Sequence, residues 1–307
     1  MLSAAQYLRP DVIAKVARLD LRARFIVEGF LSGLHGSPFQ GFSVEFSEHR
    51  KYERGDDLRL IDWAVYARTD RFFVKKFDAE TNLESYLLVD TSASMNYPAP
   101  ADALRAGRLS KLDYAICLAA ALGWLMIHQQ DAVGLARFDS RVRMFLPARS
   151  KRSQLTRIIG QLAAVQPSPD RADRGLPEAL HAVADRVPKR SLMIVLSDFL
   201  ADADATVRGL HHLRFRGHDV ILFQVLDWAE VSFPFERPGT FMDPETGLRV
   251  TGEPDAVRAG YLRALRDWTD RLRREAAAVR ADFAQVHTAM SFDRALMQYL
   301  IERQRRF

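Results

Sequence analysis

Two aspartates, each at the end of a strongly apolar run, are the residues of this sequence best placed to do chemistry. Asp90 closes the run 86–90, Asp198 closes the run 192–198, and hydroxyl residues follow Asp90 closely. Ligands of an open parallel sheet bind at the carboxyl ends of its strands. Carboxylate and hydroxyl oxygens suit a hard cation such as Mg²⁺. The pattern therefore predicts an oxygen-lined site formed by the carboxylates of Asp90 and Asp198 with two or three of the hydroxyls at 91–94.

Such a site would leave a divalent cation little more than neutralised, because hydroxyls are neutral and only two carboxylates are present. The cation would keep an open coordination position that the carboxylate of a partner could fill. The alternative for Asp90, Ser92 and Ser94 is a helix N-terminal cap, since Ser and Asp accept hydrogen bonds from free amides. Asp198 could merely end a strand.

The chain from residue 84 alternates between strand and helix patterns. Continuous apolar runs are typical of strands that are covered on both faces, as in a mainly parallel sheet. The strand-like segments are 86–90, 133–138, 142–145, 192–198 and 220–227. The helical segments, each long enough for a crossover, are 111–129, 153–165, 176–187 and 203–216. The tight turn between the second and third strand-like segments predicts an antiparallel edge strand. Together these patterns predict a doubly wound α/β fold for residues 84–307.

Residues 1–83 form a different pattern. Strand-like segments at 42–46 and 72–77 and helical segments at 10–34 and 58–68 predict a small α+β element. Because no Gly/Ser linker follows it, we expect this element to pack on the main domain.

The alternation is also interrupted at residues 228–253. The sequence Asp-Pro-Glu-Thr-Gly at 243–247 places proline at the first turn corner and glycine where φ must become positive, which predicts a β-hairpin. Apolar residues at helical spacing then predict a helix at 261–279, followed by a last strand at 283–287 and a closing helix at 292–303.

Composition narrows the class of protein. The 307 residues contain one cysteine, Cys117, which excludes an internal disulfide and a cysteine-built zinc site and suits a reducing compartment. The apolar run 114–127 is short for a membrane span and is expected to be a buried helix, and the first residues lack an export-signal pattern. These features predict a cytoplasmic protein. The net charge of +5 is spread thinly, so nucleic-acid binding is the less favoured alternative.

Catalytic motifs are scarce. Ser92 stands where a haloacid-dehalogenase-type phosphatase would carry its second aspartate, and nucleophile-elbow, phosphate-loop and dinucleotide-binding glycine patterns do not occur. A Mg²⁺-dependent phosphate-ester hydrolase that uses the same carboxylates is kept as an alternative to a protein that performs no chemistry.

The motif Asp90-x-Ser92-x-Ser94 after a buried strand resembles the metal-ion-dependent adhesion site of von Willebrand factor A domains. An ordered series of segments across nearly the whole chain resembles the bacterial domain-of-unknown-function-58 family. The quoted segments are Gly41–Phe46, Arg50–Tyr52, Gly55–Arg59, Ile61–Trp63, Ala67–Arg68, Phe233–Phe235, Asp243–Gly247 and Tyr299–Arg303. The resemblance implies a von Willebrand A-like fold with strand order 3-2-1-4-5-6 and a partnership with MoxR-type AAA+ ATPases.

The resemblance also implies residue roles. Asp90, Ser92 and Ser94 would hold Mg²⁺, with Asp198 in contact through a water. Such domains usually place a threonine before the helix that starts near Leu176, and Arg174 stands there instead, so either that loop swings away or the arginine replaces the metal as the positive charge. The rim that binds the partner is expected to include Thr91, Met95, Asp170, Asp173 and Arg174. The function implied is a non-enzymatic adaptor that joins such an ATPase to a client protein during chaperone-like remodelling.

Overall fold

The computed structural model of the protein describes residues 84–98, 108–165, 175–187 and 190–297, the short segments 49–51 and 72–75, and the single residues Leu19, Leu21, Ala23 and Asp102. The chain divides into two compact units, one formed by residues 32–82 and the other by residues 1–31 with 83–307. The prediction that residues 1–83 pack on the main domain stays a prediction.

The unit of residues 32–82 contains an antiparallel pair of short strands, β1 (His49–Lys51) and β2 (Phe73–Lys75). β2 lies within the strand predicted at 72–77, whereas β1 was not predicted. The strand predicted at 42–46 and the helix predicted at 58–68 lie outside the described residues.

The larger unit is built on a six-stranded sheet. Its strands are β3 (Glu84–Asp90), β4 (Val133–Phe138), β5 (Val142–Arg149), β6 (Ser191–Ser197), β7 (Asp219–Leu226) and β10 (Asp282–His287). They are arranged in the order β5-β4-β3-β6-β7-β10, and every neighbouring pair is parallel except β4 with β5. Numbered along the chain within this sheet, the order is 3-2-1-4-5-6. Both the predicted order and the antiparallel edge strand are confirmed.

Helices cover both faces of the sheet. They are α1 (Lys111–His128), α2 (Arg152–Ala163), α3 (Gly175–Arg186), α4 (Ala203–Phe215), α5 (Trp228–Ser232) and α6 (Pro254–Ala278), and residues 292–297 begin a further helix. Leu87 points toward α1, close to Gly123, while Leu88 belongs to a core shared with α3, α4 and α6. Successive side chains of a strand point to opposite faces, so β3 contributes to two apolar layers, as a doubly wound fold requires.

The helix α1 is the most apolar of the described helices. Its 18 residues have a mean hydropathy of 1.3, and among the described helices it is the one long and apolar enough to match a membrane span by length and composition, although 78% of it is buried inside the structure. Its residues between Leu112 and Ile127 form much of the core on one face of the sheet. The predicted buried helix at 114–127 is therefore confirmed.

The interruption at 228–253 contains more structure than was predicted. The hairpin is present as β8 (Gly239–Met242) paired with β9 (Arg249–Gly252), and Gly247 has the expected positive φ of 74°. The short helix α5 precedes it and was missed. The Asp227 side chain accepts a hydrogen bond from the Ala229 amide, and the Glu230 side chain accepts one from the Asp227 amide. The two residues therefore form a capping box at the start of α5.

The substitution Gly134→Ala tests the packing beside β3. An added Cβ would lie 2.5 Å from ring atoms of Tyr86 and 2.8 Å from the Leu146 carbonyl oxygen. We expect a loss of about 1–3 kcal/mol in the free energy of unfolding, because overpacking forces neighbouring groups to shift. The matched control is Gly123→Ala within α1, where the nearest side-chain atom is 3.4 Å away and alanine favours the helix. Urea unfolding of both variants would contradict the account if Gly134→Ala cost no more than Gly123→Ala.

Candidate functional site

Asp90 lies at the carboxyl end of the central strand β3, with its side chain buried. Its Oδ2 accepts a hydrogen bond of 2.5 Å from Ser197 Oγ on the neighbouring strand β6, and its Oδ1 accepts one of 2.9 Å from the Ser92 amide. Burial and the negative charge of Asp198 raise the pKa of Asp90 to about 7. The carboxylate is therefore held rigidly at the sheet edge by donors from two strand ends.

The hydroxyls of Ser92 and Ser94 converge beside Asp90. Their Oγ atoms lie 3.2 Å apart, in the loop that leads into a 3-10 turn at Ser94–Asn96. Two neighbouring ligands of an octahedral Mg²⁺ ion lie about 2.9 Å apart at ordinary Mg–O distances, so the two hydroxyls need to move only slightly closer together to hold a cation. The loop thus provides two hydroxyl oxygens and one carboxylate.

The capping alternative for this motif finds little support. The residue at the cap position of the 3-10 turn is Ala93, which has no side-chain oxygen. The helix α1 is capped instead by Ser110, whose Oγ accepts a hydrogen bond of 3.0 Å from the Asp113 amide. The hydroxyls of Ser92 and Ser94 are therefore not needed to begin a described helix.

A carboxylate from elsewhere in the chain reaches this loop. Glu245, at the tip of the β8–β9 hairpin, accepts a hydrogen bond of 2.7 Å from the Ser94 amide through its Oε1. Burial raises the pKa of Glu245, and the negative charges of Asp198 and Asp243 act in the same direction. Sequence reasoning identified the turn at 243–247 but not this contact, because the two residues are 151 positions apart.

The tip that carries Glu245 is shaped by Asp243. The Asp243 side chain accepts a hydrogen bond of 2.9 Å from the Glu245 amide and one of 2.6 Å from Thr246 Oγ1, and its carbonyl accepts one from the Gly247 amide. Aspartate commonly closes turns in this way. The position of the Glu245 backbone is thus set within the turn itself.

Asp198 lies at the end of β6, next to Asp90, and pairs with a buried lysine. Lys111, only 1% exposed, donates a hydrogen bond of 2.8 Å to Asp198 Oδ2 and one of 2.7 Å to Glu230 Oε1. Burial opposes the charge on Lys111, but the two carboxylates outweigh it and hold the lysine pKa above its ordinary value. Asp198 Oδ1 accepts a hydrogen bond from the Leu200 amide.

The roles of Lys111 and Glu230 were not predicted. Lys111 begins a helix, where a solvated lysine is ordinary, and its partners are 87 and 119 positions away. The spacing of Asp227 and Glu230 is a capping-box signal that could have revealed α5. The predicted contact of Asp198 with a cation through water stays a prediction, since a carboxylate oxygen can accept more than one hydrogen bond.

Two residues assigned to the partner-binding rim are corrected by the structure. Thr91 is buried and donates its hydroxyl to the Phe138 carbonyl at 2.8 Å, which anchors the loop to β4. Met95 is fully buried. An apolar side chain at that position packs inward, so neither residue lines the surface. Asp170, Asp173 and Arg174, the other rim residues, lie outside the described residues.

The donor set can be compared with the needs of a divalent cation. In the described part of the chain, no group of three or more His, Cys, Asp or Glu side chains is arranged to hold a metal. A cation here would depend on Asp90, Ser92 and Ser94, with waters or a further carboxylate completing the shell. All of these donors are oxygens, and this suits Mg²⁺.

Comparison with known sequences identifies the family. Residues 48–287 match the family described as protein of unknown function DUF58. The chain belongs to the DUF58 family. It is 29% identical over 277 residues to the uncharacterized protein Rv1480 of Mycobacterium tuberculosis and to the uncharacterized protein Mb1516 of Mycobacterium bovis, with 90% of this chain and 81% of each relative covered.

Solved structures with some similarity include two proteins from Bacteroides. The conserved hypothetical protein BatB from Bacteroides thetaiotaomicron is 16% identical, with a TM-score of 0.42, and covers 72% of this chain and 99% of its own. An aerotolerance-related membrane protein from Bacteroides fragilis is 17% identical, with a TM-score of 0.46, and covers 72% of this DUF58 chain and 97% of its own.

The substitution Lys111→Met tests the buried ion pairs. It removes the ammonium but leaves Asp198 and Glu230 buried, so we expect a loss of about 3–5 kcal/mol in the free energy of unfolding. Adding Asp198→Asn should recover part of this loss, because one uncompensated charge is then removed. Both quantities are measured by urea unfolding.

The matched control is Arg190→Met. Arg190 pairs with Asp219 at 2.9 Å but its side chain is 70% exposed, and Asp219 keeps a second arginine, Arg214. Its removal should cost less than about 1 kcal/mol. Equal costs for Lys111→Met and Arg190→Met would contradict the central position given to the lysine.

Proposed function

We propose that this DUF58 protein is a non-enzymatic interaction module that binds an acidic side chain of a partner protein at Asp90, Ser92 and Ser94. The observation that carries the proposal is the hydrogen bond from the Ser94 amide to the Glu245 carboxylate. The loop therefore has the donor geometry that a carboxylate needs, at the carboxyl edge of a parallel sheet, where ligands of such folds bind.

The balance of charge supports a cation at this site. Asp198 and Glu230 bind the ammonium of Lys111, and the carboxylates of Asp90 and Glu245 are close enough to Asp198 for its negative charge to act on both of them. A further carboxylate from a partner would be repelled unless positive charge were added. Mg²⁺ held by Asp90, Ser92 and Ser94 would supply that charge and an open coordination position for the partner.

The arrangement gives less support to an enzyme. Both oxygens of Asp90 accept hydrogen bonds, from Ser197 and from the Ser92 amide, and neither a serine hydroxyl nor a backbone amide is a suitable general acid for phosphate-ester hydrolysis. Ser92 also occupies the place where a phosphatase of the haloacid-dehalogenase type would need a second aspartate. We therefore favour binding over hydrolysis.

The partner is proposed from family resemblance. Because the chain resembles proteins associated with MoxR-type AAA+ ATPases, we propose that such an ATPase supplies the acidic side chain and that this protein is its cytoplasmic adaptor toward a client. The paired state of several arginines, among them Arg190 and Arg214 with Asp219, favours a protein over a nucleic acid.

Metal binding is tested by thermal unfolding of the metal-free protein with added Mg²⁺. At about 100 times its dissociation constant, a ligand that binds only the folded state adds about 2.7 kcal/mol of stability, so the melting temperature should rise. The double variant Ser92→Ala/Ser94→Ala should lose this rise. Ser232→Ala, which removes an exposed hydroxyl bound to the Trp228 carbonyl, should keep it. An unchanged wild-type melting temperature, together with no heat in calorimetry, would contradict the proposed cation.

Partner binding is tested by recovery of a MoxR-type ATPase from the same organism on the immobilised full chain in the presence of Mg²⁺. The variant Asp90→Ala/Ser92→Ala should recover at least tenfold less ATPase than wild type, because a charged hydrogen-bonded contact contributes roughly 1.5–3 kcal/mol. The Ser232→Ala variant should match wild type. Equal recovery by wild type and the double variant would refute a contact through this loop.

A further inference from the structure

The β8–β9 hairpin closes the candidate site with its own acidic side chain. Ser94 has its amide directed at Glu245 Oε1 at 2.7 Å, across 151 positions of sequence. A partner's carboxylate that used the same donor would meet an occupied position. The hairpin therefore bears directly on how the proposed site is reached.

The β8–β9 hairpin makes no strand pairing with the central sheet. It is a separate two-stranded sheet, not an extension of the central one. Side chains along it are exposed, including Met242, Leu248 and Val250. A two-stranded hairpin alone is marginally stable in water, so its position depends on the contacts at its two ends.

The strand β8 of the hairpin is held by aromatic packing. Phe241 of β8 stacks near Phe233, with ring centroids 5.6 Å apart, and contacts Phe235 edge to face at 5.5 Å. Phe233 in turn packs against Tyr261 of α6 at 5.2 Å. Stacked and edge-to-face rings with centroids 4.5–7 Å apart are favourable arrangements, so this cluster can keep β8 in place when the Glu245 contact is broken.

The tip is held by a hydrogen bond to Glu245, whose carboxylate is repelled by two other carboxylates. Asp243 shapes the turn, and its carboxylate and that of Asp198 both act on Glu245 as like charges. The Glu245 contact combines a strong hydrogen bond with electrostatic repulsion. A partner's carboxylate at the same amide would meet the repulsion of Asp198 but not that of Asp243, so it can compete with Glu245 when a cation offsets the charge of the site.

We infer that Glu245 is an internal ligand of the site, and that the partner presents an acidic side chain on a tight turn which displaces it. This inference rests on the proposed function and deepens it. It assigns the partner's recognition element a stated chemistry, namely an exposed Asp or Glu at a turn like that of residues 243–247. The hairpin then lowers the apparent affinity for the partner, because the partner can bind only those molecules in which Glu245 has left the Ser94 amide.

The test uses the full chain in Mg²⁺ and a cyclised, fluorescein-labelled peptide covering residues 239–252, whose turn contains the glutamate. The proteins compared are wild type, Glu245→Ala and the matched control Glu253→Ala, which changes an exposed glutamate just beyond β9 without a side-chain capping bond. A second peptide carries Gln in place of the glutamate. Amide exchange at Ser94, followed by nuclear magnetic resonance, is measured in parallel.

We expect Glu245→Ala to speed exchange at the Ser94 amide and to bind the glutamate peptide at least roughly tenfold more tightly than wild type or Glu253→Ala, as expected for a charged hydrogen bond. The Gln peptide should bind at least tenfold more weakly. Unchanged exchange at Ser94 would overturn the inference. Faster exchange without tighter peptide binding would also overturn it, since Glu245 would then only tie the hairpin in place.

These results are distinguishable from failure of the proposed function. If the inference fails while ATPase recovery still depends on Asp90 and Ser92, the interaction site stands without an internal ligand. If the peptide results are as expected but ATPase recovery does not depend on Asp90 and Ser92, the site binds acidic turns and the proposed partner is wrong.

Discussion

The edge of the sheet that carries the candidate site depends on one buried ammonium. Lys111 lies at the start of α1, and its Nζ is bound by carboxylates from the end of β6 and from α5. Removing a charge from water costs several kcal/mol unless partners compensate it. The positions of Asp198 and Glu230 are therefore coupled to that of α1, whose apolar body fills one face of the sheet.

The same arrangement explains the electrostatic character of the site. Lys111 neutralises Asp198 in part. Burial and the remaining negative charge of Asp198 together raise the pKa of Asp90. Asp90 remains satisfied because Ser197 and the Ser92 amide donate to it. A site of this kind concentrates oxygen ligands and negative charge. Such an environment favours a cation and the groups that a cation can coordinate.

Most helices and strands of the larger unit could be predicted from the sequence because their signals are local, whereas the strand order in the sheet came from the family resemblance. Apolar runs of strand length, separated by segments with helical spacing, predicted the alternation of strands and helices. Pro244 and Gly247 in the turn at 243–247 predicted the hairpin. Because Asp90 and Asp198 each end one of these apolar runs, the sequence also predicted that they would lie at the same edge of the sheet, where parallel strands end. The motif itself predicted that Ser92 and Ser94 would lie beside Asp90.

The missed contacts that shape the candidate site are distant in sequence. Lys111 meets Asp198 and Glu230, and Glu245 meets Ser94, only after the chain has crossed the sheet several times. Such pairs leave no periodic trace. Met95 and Thr91 were misassigned for a related reason, since position in a loop does not reveal whether a side chain points to solvent or into the core.

The most direct measurement is an experimental structure of the full chain bound to its ATPase partner in Mg²⁺. The account predicts density for an acidic side chain of the ATPase at the Ser94 amide, with the Ser92 and Ser94 hydroxyls facing a metal ion. A complex in which the ATPase contacts a different surface, while the Asp90 loop stays unengaged, would contradict it.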